Sequence, residues 1–176
     1  MVQSFPIYDS LKRLYHAGFK NIHFFDLAAS GPACINPRDK RVTGIERFYQ
    51  DFPENNINLK TSGWFYLIKD NEHAIRKWAK ELSPETEAII CTSDAQVIRV
   101  REWLWRYSKI DYKKILFIGN GNTDWSVYGP EPFPSYDFKI DTLIKITLEI
   151  IDNPPKEKFV KRIKAKAVRT NLIKKT

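Results

Sequence analysis

The chain has 176 residues, 43% of them hydrophobic and 14% aromatic, with a formal net charge of +8. This composition suits one globular domain with a sizeable core and excludes a disordered tail. No apolar run approaches the roughly 20 residues of a membrane span, and the opening MVQSFPIYDS lacks the basic and long apolar regions of an export signal, so a cytoplasmic location is expected.

The charge and the reactive side chains exclude further classes. Lys156–Thr176 holds nine Lys or Arg against Glu157 alone, so all the positive excess lies there and the rest of the chain is balanced. In that stretch Lys164, Lys166 and Val168 alternate with Ile163, Ala165 and Ala167, the pattern of a strand with one wet face guarded by lysine; a phosphate-binding tail is the other reading. Cys34 and Cys91 form no CxxC and join no Cys/His cluster, which fits a reducing compartment and indicates no metal. His16, His23 and His73 fall on separate elements, and there is no Gly-x-Ser-x-Gly or HExxH, so an enzyme is not expected.

Taken in order, Asp9 or Ser10 is placed to cap a helix carrying Leu11, Leu14, Tyr15 and Phe19, with Gly18 near its end. Ile22 to Leu27 reads as a strand, followed by the loop AASGPACINPRD. Val42, Ile45, Phe48, Tyr49 and Phe52 mark a second amphipathic helix. Asn58 to Ser62 is a weaker strand ending at Gly63-Trp64, and Ala74, Ile75, Trp78, Ala79 and Leu82 line a third helix. The strand Ala88 to Thr92 runs into a capping-box spacing from Ser93 to Gln96, then a helix turning Val97, Val100, Leu104 and Tyr107 inward.

Ile115 to Ile118 is a short continuous apolar run, as in a strand buried on both faces. It stops at Gly119-Asn120-Gly121-Asn122, where a sharp bend places polar groups at a strand's carboxyl end. The glycines lack the third member of a dinucleotide fingerprint, and no Gly-Lys-Ser/Thr occurs. Gly129, Pro130, Pro132 and Pro134 then favour an extended crossover. Ile140, Leu143, Ile144, Thr147, Ile150 and Ile151 give a fifth helix closed by Asn153-Pro154-Pro155, and the last strand lies within Phe159 to Leu172. Strands that each follow a helix, with no hairpin signal between them, imply an α/β fold with a parallel sheet flanked by helices on both faces. The last helix and strand are expected to pack away from that sheet.

The segments YDSLKRLYHAGFKNIHFF, RVTGIERFY, AIICTSDAQVIRV, KKILFIGNGNTDWSVYGPEPFPSYDF and VRTNL, in this order and spacing, resemble the effector-binding region of LacI/GalR transcription regulators. The resemblance implies one complete lobe of a type I periplasmic-binding-protein-like fold over residues 1–136. Residues 137–176 would then be a crossover helix and strand belonging to the partner lobe. It further implies a sugar or sugar-acid effector, no cofactor, a homodimer in the full-length form, and operator DNA bound only through a domain missing from this chain.

Family ligand contacts carry over to Arg41 in Arg41-Val42-Thr43-Gly44-Ile45, whose guanidinium fork suits hydroxyls or carboxylates, and to Trp64 as a stacking aromatic. They carry over also to Ser93 and Asp94 after the third strand. The family strand ends Gly-aromatic-Asp, whereas this one reads Gly119-Asn120-Gly121, so Asn122 or Asp124 would have to supply the lost acceptor. Each residue has a plainer reading: Arg41 as a helix start, Trp64 as core, Ser93 as a cap. Two other functions fit the same fold: a periplasmic-type sugar-binding protein of a transport system, or a lobe kept as an interaction module after losing its ligand.

Overall fold

A computed structural model describes residues 4–25, 40–61, 72–155, 157 and 163–175. The predicted strands at 22–27, 58–62, 88–92 and 115–118 correspond to β1 (Asn21–Phe25), β2 (Asn58–Thr61), β3 (Ala88–Cys91) and β4 (Leu116–Ile118). They form one parallel sheet in the order β2-β1-β3-β4. Asn21 stands beside Asn58, Ile22 beside Ala88, and Ala88 beside Leu116. Because a helix separates each strand from the next, every carboxyl end faces the same edge.

Strand side chains alternate between two layers, which is why the central strands carry no polar face. On one side Phe25, Ile89, Cys91 and Phe117 pack with Trp78, Ala79 and Leu82 and with Val97, Val100 and Leu104. These come from α3 (Glu72–Glu81) with its following turn and from α4 (Asp94–Tyr107). On the other side Ile22, Phe24, Ala88, Ile90 and Ile118 meet Ile7, Leu11 and Leu14 of α1 (Ser4–His16) and Phe48 of α2 (Lys40–Asp51). An aromatic seam joins α1 to α2, with Tyr15 5.3 Å from Phe52 and Phe48 stacked on Phe52 at 5.3 Å.

Three elements differ from the sequence expectation. The first helix begins at Ser4, so Asp9 and Ser10 lie inside it rather than capping it. Their polar groups are satisfied across the fold: Ser10 Oγ donates to Tyr136 Oη at 3.2 Å, and Tyr136 Oη donates to Asp9 Oδ2 at 2.9 Å. After Asn122 the chain makes a short helix, α5 (Asp124–Tyr128), before the prolines extend it. The crossover then contributes a strand, β5 (Ser135–Asp137), which pairs antiparallel with β6 (Lys166–Val168) in a separate two-stranded sheet. The ribbon is held by Tyr136, Ala165 and Ala167, which pack into the core layer on the α1 side of the main sheet, while β6 pairs with β5 and not with a strand of that sheet. Between them α6 (Ile140–Asp152) has no buried residue.

His23 is the one buried histidine of the described residues, on the α3 side of β1. Burial, and then the charge of Lys60, pulls its pKa from 6.5 to about 4. The neutral ring is the form the fold uses, because Nε2 accepts from Trp78 Nε1 at 3.3 Å. Its stabilising contribution is complete above pH 6.5 and is lost as pH falls toward about 4, since over that window the unfolded chain takes up a proton that the native ring refuses. The whole effect amounts to about 3 kcal/mol. His23→Gln is expected to flatten this part of the acid loss of stability; parallel urea titrations of both proteins between pH 7 and 4 would contradict it.

Candidate functional site

The carboxyl edge of the sheet gathers what the sequence scattered. Ser93 and Asp94 follow β3, Asn122 and Asp124 follow β4, and Arg41 lies in the first turn of α2, after the segment that follows β1. Trp64 lies outside the described residues.

Ser93 has the predicted cap geometry, with extended backbone and Oγ accepting from Gln96 N at 3.2 Å. Gln96 does not return the bond to Ser93. Its Oε1 accepts instead from Thr92 N at 2.8 Å and Thr92 Oγ1 at 2.7 Å, which stiffens the turn one residue earlier. Asp94 begins the helix with its side chain turned inward, 1% exposed. Its Oδ1 accepts from Ser135 Oγ at 2.6 Å, and its Oδ2 accepts from Thr123 N at 2.8 Å and Thr123 Oγ1 at 3.0 Å. One carboxylate thus ties α4, the turn after β4 and β5 together, and both its oxygens are engaged within the protein. Gly119 lets it come so close, because a Cβ there would run into Asp94 Oδ1 and the Phe133 ring. Gly121, with φ +132°, sits in a backbone region that side-chain-bearing residues rarely adopt.

Asn122, at φ 51°, donates its backbone N–H to Ser135 Oγ at 3.0 Å. Its Oδ1 accepts from Arg169 Nη2 at 2.8 Å. Arg169 also donates from Nη2 to Ser126 Oγ at 2.9 Å and from Nε to Phe133 O at 3.0 Å. Hence Asn122 presents its amide N–H₂ as the free end. Asp124 is exposed at the start of α5, beside the exposed Trp125 and Tyr128. Asn120 is 7% exposed, between the ends of β3 and β4, where its Nδ2 donates to Cys91 O at 2.7 Å.

Sequence reasoning passed over Asn120, Thr123, Ser135 and Arg169. Arg169 lies in VRTNL, and an arginine amid the terminal lysines was the signal available. Ser135 had none.

Among the described residues the edge offers hydrogen-bond donors and acceptors. Burial pushes the Cys91 thiol up, so it stays protonated. Among the described residues no group of three His, Cys, Asp or Glu is set to hold a metal, and no helix is long and apolar enough to cross a membrane. Two surface grooves, of about 340 and 450 Å³, lie beside His23 and Trp78 and beside Arg13 and His16, away from the carboxyl edge.

Neither a family model nor a curated protein matches the sequence. Solved structures do match the fold. A LacI family transcriptional regulator of Enterococcus faecium with bound ribose is 15% identical, with a TM-score of 0.69 over 96% of this chain and 62% of its own. The Escherichia coli transcriptional repressor ascG is 14% identical, with a TM-score of 0.66 over 96% of this chain and 60% of its own. A periplasmic solute binding protein of an ABC transporter from Actinobacillus succinogenes, with bound D-allose, is 15% identical, with a TM-score of 0.70 over 98% of this chain and 60% of its own. The chain spans about 60% of the length of these structures. It has the periplasmic-binding-protein-like α/β fold that LacI-family effector regions share with solute-binding proteins.

Proposed function

We propose that the chain is the effector-binding region of a LacI-like, cytoplasmic transcription regulator, a non-enzymatic module whose ligand is a sugar or sugar acid. The observation that carries this reading is that the polar residues expected from the resemblance follow the carboxyl ends of adjacent parallel strands, in a fold found with ribose and D-allose bound. Arg41, Trp64, Ser93, Asn122 and Asp124 are assigned to ligand contact, with Asp94 holding the turn that presents Asn122. Residues 137–176 are assigned to the crossover into a partner lobe. In the full-length protein, closure on the effector would shift a homodimer between operator-binding states, the DNA being held by another domain.

Calorimetric titration with ribose, D-allose, glucose, sucrose and their acids tests the reading, and binding of none would refute it. For a sugar that does bind, Arg41→Ala is expected to weaken affinity by about 1.5–3 kcal/mol, the loss of a charged hydrogen bond. Unchanged affinity removes Arg41 from the site.

The D-allose-bound transporter component favours a second reading, a transport-type binding protein of the same fold. The coding sequence upstream of Met1 separates the two: helix-turn-helix codons support the regulator, a signal peptide the transporter.

A further inference from the structure

Among the described residues two buried side-chain polar atoms lack a hydrogen-bond partner, Arg101 Nε and Asn120 Oδ1. Arg101 has an internal explanation. Its guanidinium lies 4.8 Å and 5.0 Å from the Phe117 and Phe133 rings, and its Nη1 donates to Glu131 O at 2.7 Å. The group is thus held by aromatic faces and one strong bond.

Asn120 has no such explanation. The bond from Nδ2 to Cys91 O at 2.7 Å fixes the amide's orientation, because turning it over would press Oδ1 against another carbonyl oxygen. Its backbone carbonyl accepts from Asp94 N at 2.8 Å, so the residue lies against the first turn of α4, where the strands of the parallel sheet end. A buried carbonyl deprived of both water and a partner is unfavourable, and native folds keep few of them.

The neighbouring acceptors are committed. Both carboxylate oxygens of Asp94 are taken by Thr123 and Ser135, and Asn122 Oδ1 is taken by Arg169. Gly121 brings no side chain, and Asp124 is exposed, where a ligand merely replaces water. An acceptor already stripped of water discriminates more sharply, since pairing it relieves a cost that the free protein carries.

We propose that Asn120 is a specificity-determining residue of the sugar site, its Oδ1 accepting a hydrogen bond from one ligand hydroxyl. The inference rests on the sugar-binding reading and names the residue that selects the hydroxyl. The atom is sealed from solvent in the structure, so contact requires the Gly119–Gly121 turn to give way as the ligand enters.

The full chain is titrated with ribose, D-allose, glucose and sucrose, and the tightest binder is then replaced by each of its deoxy analogues. One analogue is expected to bind wild type about tenfold more weakly than its parent, and Asn120→Ala to bind parent and analogue alike. Equal losses in both proteins overturn the inference while leaving sugar binding in place, whereas no binding of any sugar to wild type overturns both. Because Asn120→Ala also removes the bond to Cys91 O, the wild-type Asn120 side-chain N–H₂ resonance is followed during titration. It is expected to shift on binding; an unmoved resonance in a saturated complex overturns the assignment without need of the variant.

Discussion

Asp94→Ala is expected to lower the stability of the chain by about 3–5 kcal/mol in urea denaturation, because it leaves three donors on two elements, the buried Ser135 Oγ and the part-buried N–H and Oγ1 of Thr123, without their acceptor. Hydrogen bonds to a charged group contribute about 1.5–3 kcal/mol each, and three that share one carboxylate do not add in full. The loss has an identifiable route. Ser135 Oγ gives up its acceptor and β5 its anchor, while Thr123 loses bonds to both its backbone and its hydroxyl. Asp94→Asn keeps the shape and one acceptor oxygen, so it should cost less. Ser93→Ala supplies the scale for the cap alone, about 1 kcal/mol. A cost for Asp94→Ala no larger than that of Ser93→Ala would mean the network does not hold the edge together.

The strands β1, β3 and β4 were legible because each is short and largely buried, so an apolar run bounded by polar residues had few other meanings, whereas the largely exposed β2 read only weakly. Ser93 was legible as a cap because a cap is a local bond. Asp94 was named for the same turn as a ligand residue, yet what organises its carboxylate are Thr123 and Ser135, 29 and 41 residues further on. No local pattern encodes such distances. The start of α1 was misplaced for a related reason: Asp9 and Ser10 are good cap residues, but Tyr136, more than 120 residues away, satisfies them inside the helix. Tertiary partners outweighed local propensity there.

Gly121 was read as a loss, the acidic acceptor of the resembling family gone. The backbone gives a second reason for glycine. Its φ of +132° strains any side chain, and Asp94 Oδ2 lies 3.6 Å from where a Cβ would stand. The three-residue strand β5 exists through its pairing with β6, and SYD between Pro134 and Phe138 gave no period to count.

The helix α6 was legible as amphipathic, and its apolar stripe has no cover among the described residues. Ile140, Ile144, Leu148 and Ile151 are 51%, 52%, 54% and 66% exposed, along one line at helical spacing. Burying such a side chain completely contributes about 1.5–3 kcal/mol, so covering four half-exposed ones gains roughly 1 kcal/mol each. Two copies meeting stripe to stripe gather about 8 kcal/mol, within the range of the cost of association itself. The 176-residue chain is therefore expected to self-associate reversibly, its apparent mass in light scattering rising above 20.7 kDa with concentration. Replacing Ile144 and Leu148 together by lysine should return the monomer, since two ammonium groups on the seam oppose their counterparts and stay hydrated. The same pair should leave the urea midpoint of the lobe unchanged, because neither side chain is part of either core layer. A wild-type mass of 20.7 kDa at every concentration, with the α6 amides exchanging as fast as an unfolded tail, would mean that the stripe stays in water because the helix does not persist.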